Sequence, residues 1–139
     1  MIFNIPIAES VNASSLKIIK DPSSYIIKNN NGTTISKLNY YDYNIKNFDW
    51  ILVANLETLP KYRGKGLATR LINELYKDIT KTTNKGIYLF VRVNNINAIS
   101  LYNKLGFKTI KNYKLSGKEY IIMAKGNADT SQFNKFTFA

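Results

Sequence analysis

The apolar positions of this chain fall into short runs up to about residue 59 and into longer periodic segments after it. Runs over residues 25–28, 34–41 and 50–59 predict three antiparallel strands. Asn30-Asn31-Gly32 separates the first two runs and predicts a hairpin turn, because Asn and Gly accept positive φ. The first half of the chain therefore predicts a small antiparallel sheet.

A change of period marks the segment that follows. Leu67, Leu71, Leu75 and Ile79 repeat every four residues. This spacing predicts an amphipathic helix that opens near Gly66, since residues four apart share one face of a helix.

The next segments predict a second helix between strands. A nearly continuous apolar run over residues 87–93 is typical of a central strand that is buried on both faces. Residues 97–105 predict a short helix with Gly106 as its C-cap, and residues 107–113 and 119–124 predict a closing strand pair. The whole pattern predicts an α/β (α+β) domain with a mostly antiparallel sheet flanked by helices.

The two ends of the chain are less regular. Residues 2–7 could form a first strand, and residues 14–19 predict a short helical turn that ends at Asp21-Pro22. Residues 126–139 are polar with phenylalanines interspersed, so this tail is either flexible or docked on the domain. We expect a single domain over residues 1–125, followed by the tail over 126–139.

Composition limits the chemistry. The chain has no cysteine and no histidine, which excludes disulfides, thiolate catalysis, imidazole bases and metal sites built on either residue. Proton transfer would use a carboxylate, a tyrosine, a lysine, a terminus or water. The opening lacks the pattern of a signal peptide, and no run approaches the roughly 18 apolar residues of a membrane span. We therefore expect a cytoplasmic protein with no membrane partner and no metal.

The net charge of +11 comes almost entirely from lysine. Such a balance indicates either an acidic partner, such as nucleic acid or a phosphate-rich cofactor, or the codon bias of an AT-rich genome. We favour codon bias, because arginine, whose fork suits phosphates and bases, is scarce here. Nucleic acid is accordingly not the expected partner.

The stretch RGKGLA over residues 63–68 carries the clearest chemistry. It joins the third predicted strand to the first helix. Gly64 and Gly66 would let the main chain approach a ligand closely, because neither has a Cβ atom. A helix N-terminus adds about half a positive charge, and Arg63 and Lys65 add two more cations. Together these features predict a phosphate or pyrophosphate site.

Two segments resemble the GNAT N-acetyltransferase superfamily. Arg63, Gly66 and Ala68 have the spacing of its acyl-CoA pyrophosphate loop, which is Gln or Arg, two residues, Gly, one residue, then Gly or Ala. Residues 91–107 are similar to its other hallmark segment. The matching positions there are Asn95, Ala98, Leu101, Tyr102, Gly106 and Phe107.

The resemblance covers residues from about 48 to 125 and implies a fold and a reaction. The fold is a GNAT-like mixed sheet that splays between its fourth and fifth strands, here with a shortened N-terminal helical region. The reaction is transfer of an acetyl group from acetyl-CoA to a primary amine by direct attack. The cofactor-binding residues that it implies are Leu56, Thr58, Arg63, Gly64, Lys65, Gly66, Leu67, Ala68, Thr69 and Asn95.

The resemblance also implies catalytic roles, each with a plainer alternative. Tyr102 would protonate the leaving CoA thiolate, or it packs on the sheet. Asn95 would orient the cofactor arm or the amine, or it caps a helix. Some members carry a Glu five residues before the Asn, where this chain has Phe90. Glu57 is then the candidate base, unless it is a solvated carboxylate and water takes the proton.

The prediction of the acceptor depends on the N-terminal region. The short N-terminal region indicates an open acceptor side, which suits a protein lysine or N-terminus better than a buried metabolite, although a small amine stays open. Two other functions also stay open. One is a non-catalytic CoA-binding or interaction module on the same fold, and the other is a basic nucleic-acid-associated protein. The oligomeric state is not predicted.

Overall fold

The computed structural model describes residues 16–135, which form one seven-stranded sheet and two α-helices. The sheet has the strand order β1-β2-β3-β4-β5-β7-β6. The strands are β1 (Ile18–Asp21), β2 (Ser24–Lys28), β3 (Thr34–Tyr41), β4 (Trp50–Thr58), β5 (Gly86–Arg92), β6 (Lys108–Leu115) and β7 (Lys118–Lys125). The helices are α1 (Leu67–Thr82) and α2 (Ile96–Lys104). The predicted α/β class and the mostly antiparallel sheet are confirmed.

The N-terminal part of the described chain differs from the prediction. Residues 18–21 form a strand rather than the end of a helical turn, and Asp21 pairs with Ser24 across a two-residue turn. Ile18 and Ile19 lie opposite Ile27 and Ile26, so cross-strand packing of β-branched side chains overrides the local signal. The strand predicted over residues 2–7 lies outside the described residues.

The hairpin between β2 and β3 forms where the sequence predicts it. Gly32 has φ of 84°, and its N–H donates to the Asn29 carbonyl at 3.0 Å. The Asn29 side chain also accepts from the N–H groups of Asn31 and Thr33. The turn therefore uses the left-handed conformation that favours glycine.

β4, α1 and β5 form a β-α-β unit with parallel strands. The parallel register pairs residues 50–52 with residues 86–88 only, and both strands continue beyond it. The apolar face predicted for α1 is buried, and Leu71 and Ile72 have no exposed surface. A crossover helix is the usual connection between parallel strands.

The C-terminal half closes with α2 and a β6–β7 hairpin. Leu115 pairs with Lys118, and the two residues between them, Ser116 and Gly117, have φ of 51° and 78°. Positive φ at both central residues is the mark of a type I′ turn, which matches the twist of the flanking strands.

The described residues divide into two compact units. The first comprises residues 16–40 and 55–75, and the second comprises 41–54 and 76–135. The core of the second unit is an aromatic cluster of Phe48, Trp50, Tyr88 and Phe133 with Ile122 and Ala124.

The described part of the C-terminal tail contributes to that cluster. It forms a short 3-10 helix over Thr130–Asn134, and the Phe133 ring is fully buried, 5.1 Å from the rings of Trp50 and Tyr88. Of the two alternatives that the sequence leaves open, residues 126–135 adopt the docked one.

Candidate functional site

The glycine loop after β4 has the conformation that its sequence predicts. A 3-10 turn over Pro60–Tyr62 leads into it, and the Tyr62 ring is buried. Gly64 and Gly66 both have φ of 78°, in the region that other residues rarely adopt. No protein atom lies within 4 Å of where a Cβ would stand on either glycine. Glycine is therefore required there by the main-chain conformation and not by crowding.

The loop ends at the first turn of α1. The Arg70 N–H donates to the Gly66 carbonyl at 3.0 Å, which is the first bond of the helix. The N–H groups of Leu67, Ala68 and Thr69 come before that bond and have no acceptor within residues 16–135. The buried Leu67 side chain fixes this end of the helix in place. Such an array of bare amides is a general anion site.

The charge around the loop is positive. The chain has no acidic residue between Glu57 and Glu74. Arg63 and Lys65 are exposed, and Arg63 donates from Nε to the Thr58 carbonyl at 3.0 Å. This bond ties the loop back to the end of β4 and positions the guanidinium beside it.

A bulge in β4 turns its main chain. The Gly86 N–H donates to the Asp49 carbonyl, so Asp49 points toward β5, whereas the Leu59 N–H donates to Ile35 in β3. Ten residues separate Asp49 from Leu59, and in a regular strand such residues point to the same neighbour. Asn55, with φ of 53°, lies between them and marks the inserted residue of a β-bulge.

The consequence of the bulge concerns two predicted cofactor residues. Because Leu59 points toward β3, alternation directs the main-chain N–H and C=O groups of Leu56 and Thr58 away from β3. The Thr58 carbonyl accepts from Arg63 on that side, which agrees. On the other side, the Ser36 hydroxyl lies 2.9 Å from Thr58 Oγ1 and donates to the Glu57 carbonyl. Leu56 and Thr58 thus present an edge to which an extended ligand can hydrogen-bond.

Glu57 is exposed on the same stretch of strand. Its carboxylate has no hydrogen-bond or ion-pair partner within residues 16–135. The solvated strand-end carboxylate that the sequence offers as an alternative matches this environment, and the role of Glu57 as base stays a prediction.

Tyr102 lies on α2, in the second unit. Its ring centroid is 5.5 Å from that of Phe107, and its main-chain carbonyl accepts from the Phe107 N–H at 2.9 Å. Burial raises the pKa of Tyr102 above its usual value of about 10. The phenol is therefore protonated at neutral pH and can donate. The contact with Phe107 shows that Tyr102 packs in the domain, and this packing is compatible with the catalytic role predicted for the residue.

Asn95 is the N-cap of α2. Its Oδ1 accepts from the Ala98 N–H at 3.2 Å, which satisfies one of the free amides of the first turn. Asn95 therefore caps the helix, as one of the two alternatives predicts, and its cofactor role stays a prediction. Phe90, at the position where some relatives carry Glu, packs 5.6 Å from the Tyr113 ring.

The structure adds two residues that the sequence interpretation missed. One is Asn55, for which only the tolerance of Asn for positive φ could have been a signal. The other is Arg92, at the end of β5, whose Nε atom is buried without a hydrogen-bond acceptor among residues 16–135. No local pattern marks Arg92, since its environment depends on pairing with β7.

A separate cavity of about 430 Å³ lies in the second unit, and none of the predicted site residues lines it. Its walls come from the end of α1 and the segments around Asp49, Lys85 and Ala128. Within residues 16–135, no group of three or more His, Cys, Asp or Glu side chains could hold a metal ion. No helix in that part of the chain combines the length and hydropathy that a membrane crossing requires.

The two units divide the predicted residues. Leu56, Glu57, Thr58 and the loop over residues 63–69 lie in the first unit, where the bond from Arg63 to Thr58 joins strand and loop. Asn95 and Tyr102 lie in the second unit, Asn95 at the start of α2 and Tyr102 in its last turn.

Comparison with known proteins places the chain in a family. The FR47-like protein family matches residues 45–115, just over half of the chain. An acetyltransferase of Yersinia pestis is 30% identical over 107 residues, which are 76% of this chain and 72% of that protein. An N-alpha-acetyltransferase of Saccharolobus solfataricus is 40% identical over 77 residues, 52% of this chain and 46% of that protein. The chain thus spans about half the length of this relative.

A solved structure shows the same fold. Naa50 of Arabidopsis thaliana, in complex with the bisubstrate analogue CoA-Ac-MVNAL, superposes with a TM-score of 0.67 at 18% identity. The superposition covers 89% of this chain and 93% of that one. The family match, the Yersinia relative and the shared fold agree with the loop and helix geometry: the chain belongs to the GNAT superfamily of N-acetyltransferases.

Proposed function

We propose that this protein transfers an acetyl group from acetyl-CoA to the primary amine of a peptide or protein. The observation that carries the proposal is the row of bare amides at the glycine loop, with two glycines at φ of 78° and a cationic surround. A diphosphate fits such a row, because its oxygens accept from N–H donors and the helix N-terminus favours its charge.

The proposed chemistry begins with binding. Residues 63–69 hold the pyrophosphate of acetyl-CoA, and the main-chain groups of Leu56 and Thr58 pair with the pantetheine arm. An N–H on that edge also polarises the thioester carbonyl. Removing one such donor typically costs about 100- to 1000-fold in rate. Because these contacts use main-chain groups, the identity of the side chain at a position such as Thr58 matters little for them.

The transfer itself is a direct attack. The neutral amine adds to the thioester carbon, a C–N bond forms and the C–S bond breaks. The Tyr102 hydroxyl donates its proton to the departing thiolate. The proton that the amine loses goes to water or to the carboxylate of Glu57. The raised pKa of Tyr102 suits a proton donor, since the phenol stays protonated at neutral pH.

A protein or peptide acceptor is the favoured class. A relative 40% identical over its matched segment is an N-alpha-acetyltransferase, and the Naa50 ligand joins CoA to a peptide. These names support an α-amino group as the acceptor in this chain as well. Acceptor lysines are the second choice.

Tyr102→Phe tests the proposal. We expect the turnover number for CoA thiol release, measured with acetyl-CoA and a peptide acceptor, to fall about 100-fold, the usual effect of losing a general acid. The calorimetric Kd for acetyl-CoA should change by less than about twofold, since the affinity resides in the main chain of the loop. Tyr76→Phe, at another partly buried tyrosine, is the matched control.

Two results would contradict the proposal. Equal losses of turnover and acetyl-CoA affinity in Tyr102→Phe would assign the residue a packing role only. Absence of any heat of binding with millimolar acetyl-CoA in the unaltered protein would remove the enzymatic function altogether.

A further inference from the structure

One sheet face of the second unit collects cations. The register places Arg92 opposite Tyr120 and Tyr120 opposite Tyr113, across β5, β7 and β6. One row further along, Phe90 lies opposite Ile122 and Ile122 opposite Lys111. Residues directly opposite each other share a face of the sheet. The aromatic cluster covers the part of this face around Ile122. We call the rest of it the basic face, and its cations are Arg92, Lys108, Lys111 and Lys118.

The basic face carries no carboxylate from the three strands. The sequence has no aspartate or glutamate between Asp78 and Glu119. Glu119 itself lies opposite Lys114, on the other face, because it is the neighbour of Tyr120 along β7. Elsewhere in the described second unit, Asp42 pairs with Lys85 at 2.8 Å, and Asp49 and Asp129 accept bonds from Gln132 and Ser131.

Arg92 is the most constrained of these cations. Its guanidinium carbon lies 5.6 Å from the centroid of the Tyr120 ring, which holds the plane over the aromatic face. Its Nε atom is buried and donates to nothing within residues 16–135. Buried donors are nearly always satisfied, so the hydrogen-bonding capacity of the Arg92 guanidinium is not used up within residues 16–135.

The position of Arg92 connects it with Asn95 and α2 in the same unit. It ends β5, and the Asn95 N–H donates to its carbonyl at 3.0 Å just before α2 begins. In open α/β sheets, ligands bind beyond the carboxyl ends of parallel strands. β5 is one of the two parallel strands here, so Arg92 stands at the end of the strand where ligands are expected.

We infer that the acceptor is an amine on an acidic peptide, one whose first residues after the free α-amino group include Asp or Glu. Arg92 binds a carboxylate of the acceptor through its planar fork, and the lysines of the basic face add attraction at longer range. The same face repels polyamines and lysine-rich peptides. This inference rests on the proposed acetyl transfer, because it names the acceptor of that reaction.

The test compares three peptides that differ only in their second and third residues, Ser-Glu-Glu, Ser-Gln-Gln and Ser-Lys-Lys, each followed by the same neutral sequence. We expect kcat/KM for the acidic peptide to exceed that for the neutral one by about tenfold and that for the basic one by more. In Arg92→Gln, KM for the acidic peptide should rise about tenfold, while KM for acetyl-CoA and turnover of the neutral peptide stay unchanged.

Two further variants separate recognition from folding. Arg92→Lys keeps the charge but loses the fork, so the preference for the acidic peptide should weaken without disappearing. Lys81→Gln removes one exposed positive charge from α1 and should leave the preference intact. A uniform loss with all three peptides in Arg92→Gln would show that Arg92 has a structural role only, and equal use of the basic and acidic peptides by the unaltered protein would overturn the inference.

A binding measurement keeps this inference distinct from the proposed function. Fluorescence anisotropy of a labelled Ser-Glu-Glu peptide, with CoA present, requires no turnover. Arg92-dependent binding without thiol release would retain acidic-peptide recognition and reject the acetyl transfer. Thiol release without any preference among the peptides would retain the transfer and reject the inference.

Discussion

Tyr88 and Tyr102 hold their protons more tightly than a tyrosine in water. Burial raises the pKa of both, and for Tyr88 the nearby Tyr43 phenol adds to the effect, so that its pKa reaches about 12. The desolvated phenolate is the unfavourable form in each case. At Tyr102 this property suits proton donation, whereas at Tyr88 it accompanies core packing against Phe133.

The raised pKa of Tyr88 has a consequence for stability at alkaline pH. Below about pH 10 the phenol is protonated in both the folded and the unfolded chain, and its ionisation contributes nothing. Between about pH 10 and pH 12 only the unfolded chain ionises, so the free energy of unfolding falls as pH rises.

We therefore expect Tyr88→Phe to lose less stability than the unaltered protein when the pH rises from about 10 to about 11.5, within the range of about 10 to 12 that its pKa defines. Urea unfolding midpoints at the two pH values measure the difference. Tyr41→Phe, at an exposed tyrosine, should behave like the unaltered protein. Identical alkaline losses in Tyr88→Phe and Tyr41→Phe would contradict the prediction.

What the sequence reveals of single residues depends on whether their signal is local. The conformation of Gly64 and Gly66 is predictable, because a left-handed φ is rare for residues with a side chain and is therefore marked by glycine in the sequence. Arg92 is not, since an unused donor becomes visible only once β5 is paired with β7. The positive φ of Asn55 is not predictable either, because it depends on how the rest of β4 pairs with its neighbours.

At the scale of elements, the loop and α1 act together. The glycines supply the turn, and the helix supplies a fixed end with three bare amides. Gly117, in the β6–β7 turn, offers a matched comparison for Gly66, since it also has φ of 78° and open space within 4 Å of where a Cβ would stand. These two glycines thus share a main-chain conformation but not the predicted ligand.

Gly66→Ala and Gly117→Ala should each destabilise the protein by about 1–2 kcal/mol, the cost of a left-handed conformation for an L-residue. Only Gly66→Ala should also weaken CoA binding, by about tenfold or more, because its methyl group would stand in the proposed pyrophosphate site. Urea unfolding and calorimetry measure the two effects. CoA affinities that are equal in the two variants would count against a pyrophosphate site at the loop.

Elements with strong local signals are predicted closely. The structure places β3 at Thr34–Tyr41, where the sequence predicts it, and α1 at Leu67–Thr82, one residue after the predicted opening. The prediction of a helical turn in place of β1 is wrong, because the four residues of β1 acquire their conformation from β2. Short segments with distant partners carry little information of their own.

On the scale of the whole molecule, two features are out of reach of the sequence pattern. The strand order, in which β7 lies between β5 and β6, is a matter of long-range pairing. The docking of the tail depends on a core formed by residues some 45 to 85 positions earlier, Phe48, Trp50 and Tyr88. The family resemblance anticipates the fold, while the roles of Glu57, Asn95 and Tyr102 stay predictions.

Phe133→Ala tests the structural role of the tail. The ring is fully buried among three aromatic residues, so we expect a loss of about 3–5 kcal/mol in the free energy of unfolding. Gln132→Ala removes two hydrogen bonds to Asp49 and should cost about 1–2 kcal/mol. Urea unfolding measures both variants. A loss below about 1 kcal/mol in Phe133→Ala would mean that the core closes without the tail.

The inserted residue at Asn55 has a consequence for how this chain tolerates mutation. After Asn55, each peptide group of β4 points to the neighbouring strand opposite to the one that a regular strand would give it. Removing one residue there would turn the peptide groups of Leu56 and Thr58 toward β3. Substitutions that keep the positive φ of residue 55 leave the direction of these peptide groups unchanged. Between Asn55 and Leu59, the number of residues is therefore more constrained than the identity of the exposed side chains.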